Sequence, residues 1–86
     1  MKNIKLIKEV KLEAVFWDGS FEQIKKINFI LSGKCPRFCG GDIAYIDKNN
    51  EISIIPRNVW VVNDNNNIKY FYQSGDSLLE NNYKIL

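Results

Sequence analysis

Residues 51–72, EISIIPRNVWVVNDNNNIKYFY, leave the chain few folds to choose from. The run reads as a strand, a Pro-Arg-Asn break, a Val-Trp-Val-Val strand, an asparagine-rich turn and an aromatic strand. Pro56 has no N–H to give a ladder, so it ends the first strand. Asparagine tolerates positive φ and bonds its own backbone, so Asp64-Asn65-Asn66-Asn67 joins strands at 59–63 and 68–73 into a hairpin. Ile68, Tyr70 and Tyr72 share one face of the last strand, and Lys69, Phe71 and Gln73 share the other. With 86 residues in all, such a segment implies one domain over residues 1–86 with a single modest core.

The rest of the chain supplies what such a sheet needs. From residue 4 to 16, Ile4, Leu6, Val10, Leu12, Ala14 and Phe16 fall on even positions, the period-two pattern of a half-buried strand, and Lys8 interrupts it with a kink or bulge. Trp17-Asp18-Gly19 ends that strand. Residues 20–31 then read as a helix: Ser20 and Gln23 fit a capping box, while Phe21, Ile24, Ile27 and Leu31 form a stripe suited to lying on the sheet. Gly33 suits a left-handed C-terminal cap. A second hairpin runs from 43–47 through Lys48-Asn49-Asn50 to 51–55. After Ser74-Gly75, Asp76 or Ser77 caps a short helical turn, and residues 83–86 form a last short strand. The expected fold is α+β, one helix packed on a mostly antiparallel sheet of about five strands in the order β-α-β-β-β-β, with Trp60, Tyr70 and Tyr72 in the core beneath the helix.

Several function classes lose ground on composition. The chain has no histidine, which removes the commonest general base and zinc ligand. Asp18, Asp42, Asp47 and Asp64 each stand where a turn wants an aspartate, so an enzyme is not expected. Cys35 and Cys39 are separated by three residues, with no second pair to complete a four-ligand site; free thiols, a disulfide formed on oxidation and a metal site are the three readings, in that order. No metal or cofactor is expected. No apolar run approaches the roughly 20 residues of a membrane span, which argues for a cytoplasmic protein. The net charge is +2, and Lys2, Lys5, Lys8 and Lys11 against Glu9 give the first eleven residues +3. These lysines read first as a solvated strand face that discourages edge pairing, and second as a phosphate-binding face.

Leu12-Glu13-Ala14-Val15-Phe16-Trp17-Asp18-Gly19, followed by a helix, resembles the opening Val-Glu-Ala-Val-Gln-Trp-Asp-Gly of small, mostly uncharacterised accessory proteins encoded by tailed bacteriophages and prophages. Asn58-Val59-Trp60-Val61-Val62 is similar to that family's Gly-Asp-Trp/Tyr-Ile-Ile strand. Lys69-Tyr70-Phe71-Tyr72 is similar to its Glu-Phe-Tyr-Pro strand, and the segment from Asp76 to Tyr83 to its Asp-x-Phe-x-x-x-Tyr tail. The resemblance spans roughly residues 10–83. Arg57-Asn58 departs from Gly-Asp, Gln73 from proline, and the cysteine loop has no counterpart. The resemblance carries no catalytic residues; it implies a phage accessory protein acting in the host cytoplasm on host or defence components.

On these grounds the expected function is a non-enzymatic counter-defence protein that inhibits a bacterial immune protein, such as a CRISPR effector, by binding it. The alternatives are a sponge that sequesters a nucleotide immune signal between aromatic rings and Arg57 or Lys69, and a weak nucleic-acid-binding accessory protein using the lysine face. The candidate contact residues are Trp17, Arg37, Phe38, Arg57, Asn58, Lys69 and Phe71, with Trp60 beside them. Trp17 and Trp60 also fit plain core positions. Partners are a host defence protein, a nucleotide in the alternative, and a second copy of the chain; no membrane is expected.

Overall fold

The computed structural model describes residues 12–81 and 83–86. The first part of the expected N-terminal strand, with Lys2, Lys5, Lys8 and Lys11, lies outside the described residues. In chain order the elements are β1 (Glu13–Trp17), α1 (Phe21–Ile30), β2 (Arg37–Cys39), β3 (Asp42–Ile46), β4 (Ile52–Ile55), β5 (Val59–Asp64), β6 (Asn67–Phe71), α2 (Gly75–Glu80) and β7 (Lys84–Ile85). The class is α+β, as expected, but the strand count is higher and the strands divide into two sheets. One has the order β6-β5-β1-β7 and the other β2-β3-β4. Every pairing is antiparallel except that of β7 with β1.

The division follows from apolar residues on both faces of β1 and β5. Val15 and Trp17 face one side, with Val59 and Val61 beside them in register. Ala14 and Phe16 face the other, with Val62 and Trp60 opposite. The first face meets α1 and the β2-β3-β4 sheet in one cluster that holds Ile27, Ile30, Leu31, Ile43, Tyr45 and Ile55. The second face carries a smaller cluster of Ala14, Val62 and Leu78, with Trp60, Phe71 and Tyr83 packed on it. The main core therefore takes the odd positions of β1, not the even ones that the alternation favoured. A strand buried on both faces carries no reliable alternation.

In α1 the buried residues are Ile27 and Ile30, followed by Leu31 at the C-cap. Phe21 at the head of the expected stripe is 90% exposed. Ile24, Ile27 and Leu31 of that stripe do pack on the core cluster, so Phe21 alone stands off it. No capping box forms: the Ser20 side chain makes no cap bond, and the Ser20 N–H instead donates to Asp18 Oδ1 at 2.9 Å. At the other end, Asn63 Nδ2 donates to the Ile30 carbonyl at 3.0 Å, satisfying one of the acceptors that a helix terminus leaves free.

Both hairpins form where the turn residues place them. Asn65 and Asn66 have φ of 53° and 71°, the paired left-handed geometry of a two-residue hairpin turn. Between β3 and β4, Asp47 organises the loop: its carboxylate accepts from the N–H groups of Asn49 and Glu51 at 2.9 and 3.0 Å and from Ser53 Oγ at 2.7 Å. The Ser53 hydroxyl above all, then the Glu51 and Asn49 amides, hold its pKa below the ordinary 3.8. A carboxylate whose pKa is depressed by folding stabilises the fold above its unfolded value, and that contribution disappears as pH falls through the folded value. Asp47→Asn is therefore expected to lower the thermal midpoint at neutral pH and to flatten the loss of stability below a pH of about 4. Thermal melts across an acid series check this; an unchanged acid limb would show that Asp47 contributes nothing to it.

Candidate functional site

The β3–β4 register sets Ile43 opposite Ile55, Ala44 opposite Ile54, Tyr45 opposite Ser53 and Ile46 opposite Ile52. Because side chains alternate across a strand, Ile43, Tyr45, Ser53 and Ile55 share the inner face, and Ala44, Ile46, Ile52 and Ile54 share the outer one. Arg37 joins that outer face from β2, where it stands opposite Ala44. Ile52 is 71% exposed and Ile54 54%, and Arg37 is exposed at the border. Cys35, Arg37, Ala44, Tyr45, Ile46 and Ile52 line an open hollow of about 300 Å³ in it. The result is an apolar strip on solvent with the exposed Arg37 at its border. Isolated exposed aliphatics are ordinary, but a contiguous apolar patch rimmed by polar groups marks an interaction surface.

Of the seven expected contact residues, Trp17, Phe38, Arg57 and Asn58 gather around Gly41 and the end of β1, while Arg37 is on the outer face and Lys69 and Phe71 are on β6. Trp17 is a correction: it is 1% exposed, its ring centroid is 5.2 Å from that of Phe38, and Nε1–H donates to the Gly41 carbonyl at 2.7 Å. The register with Val59 turns it inward, so it stands in the core with almost no surface left for a contact. Phe38 is half-buried against it. Arg37 alone of the seven lies on the outer face of the three-stranded sheet.

Arg57 and Asn58 make a corner at the end of β1. Asn58 has φ of 62°, and its N–H donates to the Trp17 carbonyl at 2.6 Å. The Arg57 stem lies across Gly19 and Gly41, both at left-handed φ of 87° and 91°; a Cβ on Gly19 would meet Arg57 Cδ at 2.8 Å. This arginine is a structural strap with an exposed head. Lys69 pairs with Asp64 at 3.6 Å on the surface. Phe71 is half-buried, its ring 5.9 Å from Tyr83 on the face covered by α2. Trp60 is likewise half-buried there, 5.1 Å from Phe16.

Tyr70 and Tyr72 are a further correction. Both are exposed, Tyr72 to 74%, and their rings meet each other at 6.0 Å instead of filling the core. They belong to the outermost strand of the four-stranded sheet and its continuation, beyond the reach of α1. The two cysteines are exposed free thiols, Cys35 just before Pro36 and Cys39 at the end of β2. Among the described residues, no group of three or more acidic or cysteine side chains is gathered as a metal site.

The isoleucines of the outer face were missed by sequence reasoning, although a signal existed. A hairpin turning on residues 48–50 puts Ala44, Ile46, Ile52 and Ile54 on one face and Ile43, Tyr45 and Ile55 on the other. Both faces are apolar, and a domain with one long helix cannot cover both. Among the described residues, no helix is long and apolar enough to cross a membrane. Set against family models, curated proteins and solved structures, the chain matches none.

Proposed function

We propose that this chain is a non-enzymatic binding protein of a tailed phage or prophage, which inhibits a bacterial defence protein such as a CRISPR effector by occupying its surface. The observation that carries the binding reading is the outer face of β2-β3-β4, where Ile52 and Ile54 stand exposed beside Arg37. Two aliphatic anchors and an arginine on a rigid hairpin are the kind of small cluster on which interface energy concentrates. The partner they fit presents an apolar spot with a carboxylate at its border. The counter-defence setting and the host cytoplasm come from the resemblance of residues 12–19, 58–62, 69–72 and 76–83 to phage accessory proteins.

The nucleotide alternative has less geometric support. Arg57 precedes β5 and its stem is held over Gly19 and Gly41, whereas Lys69 stands opposite Val62, three residues beyond Val59 or roughly 10 Å along the strand. The sponge needs an exposed ring beside one of these cations, and Tyr70, the exposed ring next to Lys69, alternates to the opposite face of β6.

The test is expression of the chain in bacteria whose CRISPR system targets a phage, scored by plating efficiency. Plating is expected to recover with the natural chain and not with Ile52→Asp/Ile54→Asp, whose changes fall on exposed positions and leave the circular dichroism spectrum intact. Recovery that survives the double substitution would remove this face from the mechanism. No recovery across a panel of defence systems, together with thermal stabilisation by a nucleotide, would replace the reading with the sponge.

A further inference from the structure

The three-stranded sheet ends at β4, and the edge it presents is unusually easy to pair. In an antiparallel ladder, successive residues point their backbone groups alternately toward and away from the neighbouring strand. The phase here is given by two bonds: Asp47 N–H donates to the Glu51 carbonyl at 2.8 Å, while Ile46 N–H points the other way, to the Lys34 carbonyl at 2.8 Å. Counting along the register, Ser53 and Ile55 direct their N–H and C=O toward β3, and Ile52 and Ile54 direct theirs to the free edge. Among the described residues, nothing takes those four groups. Edge strands are normally protected by lysines, bulges or prolines. From Ile52 to Ile55 the register is unbroken and uncharged, and Pro56 lies just past its end.

We propose that the chain forms a two-fold symmetric dimer by antiparallel pairing of β4 with β4 of a second copy, centred on Ser53. That register sets Ile52 opposite Ile54 of the second copy. The outward N–H and C=O groups of both residues are then all used, in four hydrogen bonds across the seam. Pro56 falls outside the paired stretch, so its missing N–H removes no bond. The apolar side chains of Ile52 and Ile54, exposed in the single chain, cover one another as cross-strand neighbours.

Charge favours the same arrangement. Asp47 and Glu51 against Lys48 leave a net negative charge before the strand and Arg57 a positive one after it, so an antiparallel partner brings the acidic end of one copy toward the basic end of the other. A parallel pairing would set like charges together. The dimer carries a six-stranded sheet in which the two outer faces are continuous. The dimer draws on the same two isoleucines as the partner proposed for this face, but its test reads the mass of the free chain and not its effect on a defence system.

Light scattering on a sizing column, run across a concentration series, is expected to show a species of twice the 10.0 kDa chain mass. Ile54→Pro removes an outward N–H in each copy and keeps the strand's bonds to β3, a position at which an edge strand accepts proline. It is expected to raise the dimer dissociation constant by roughly thirtyfold, the effect of two lost bonds. Ser53→Cys, in a chain also carrying Cys35→Ser and Cys39→Ser, is expected to cross-link to itself on mild oxidation, because non-hydrogen-bonded partners approach within disulfide range. A single-chain mass at every concentration overturns the proposal. So does a dimer that Ile54→Pro leaves untouched while its fold is intact by circular dichroism, since that dimer would be joined by faces and not by edges.

Discussion

Trp17→Ala is expected to cost about 3–5 kcal/mol, a large part of the roughly 5–10 kcal/mol that holds a domain of this kind folded. Trp17 is the largest of the fully buried side chains, and it closes the junction where β1, β5 and the turn between β2 and β3 meet. Removing the indole empties the space against Phe38 and takes the donor from the Gly41 carbonyl. Trp17→Phe keeps part of the volume and loses chiefly the hydrogen bond, about 1 kcal/mol plus a packing defect. Urea titrations should therefore rank the natural chain above Phe and Phe above Ala, with the midpoint moving at constant slope. If Trp17→Ala left stability within about 0.5 kcal/mol, the value usual for a surface change, its assignment to the core would fall.

What could be read from the sequence, and what could not, divides along physical lines. Local signals were legible. Asn50, Asn65 and Asn66 specify tight turns through their tolerance of positive φ, and both hairpins stand where those residues put them. The short C-terminal helix and its following strand were legible too, although Ser74 caps that helix, not Asp76 or Ser77. Non-local choices were not legible. Nothing in Ile43-Ala44-Tyr45-Ile46 or Ile52-Ser53-Ile54-Ile55 says which face the helix will cover, because both are apolar. Nor does the aromatic run at 70–72 announce that it sits on an outermost strand. The short β2, folded back on β3 by Gly40-Gly41, was hidden by the proline and cysteines around it. The contact residues suffered most from this: large aromatics are enriched both in cores and in interfaces, so Trp17 and Trp60 fitted either until the register was known.

Leu78→Ala is the second large effect, and its form matters more than its size. Leu78 is the buried residue of α2, and Leu79 beside it is more than half exposed. A six-residue helix has little stability of its own, so α2 is held by what Leu78 packs on: Ala14 and Val62, with Trp60, Phe71 and Tyr83 around them. Truncation should cost about 2–5 kcal/mol. That cluster lies on the opposite face of the sheet from the main core, and β7 adds a pairing of two residues to β1. The loss should then appear as local opening of α2 and β7, not as unfolding of the whole domain. The amides to watch are Lys84, which donates to the Leu12 carbonyl at 2.8 Å, and Leu86, which donates to Ala14 at 2.9 Å. Their hydrogen exchange should accelerate by roughly thirtyfold or more, while amides of α1 and β5 keep their protection. Equal acceleration in α1 would mean that both clusters melt as one unit. A local result has a consequence for Phe71 and Trp60, which sit on this same cluster: substitutions there would loosen α2 first, and a drop in partner binding from either would report that loosening and not a lost contact.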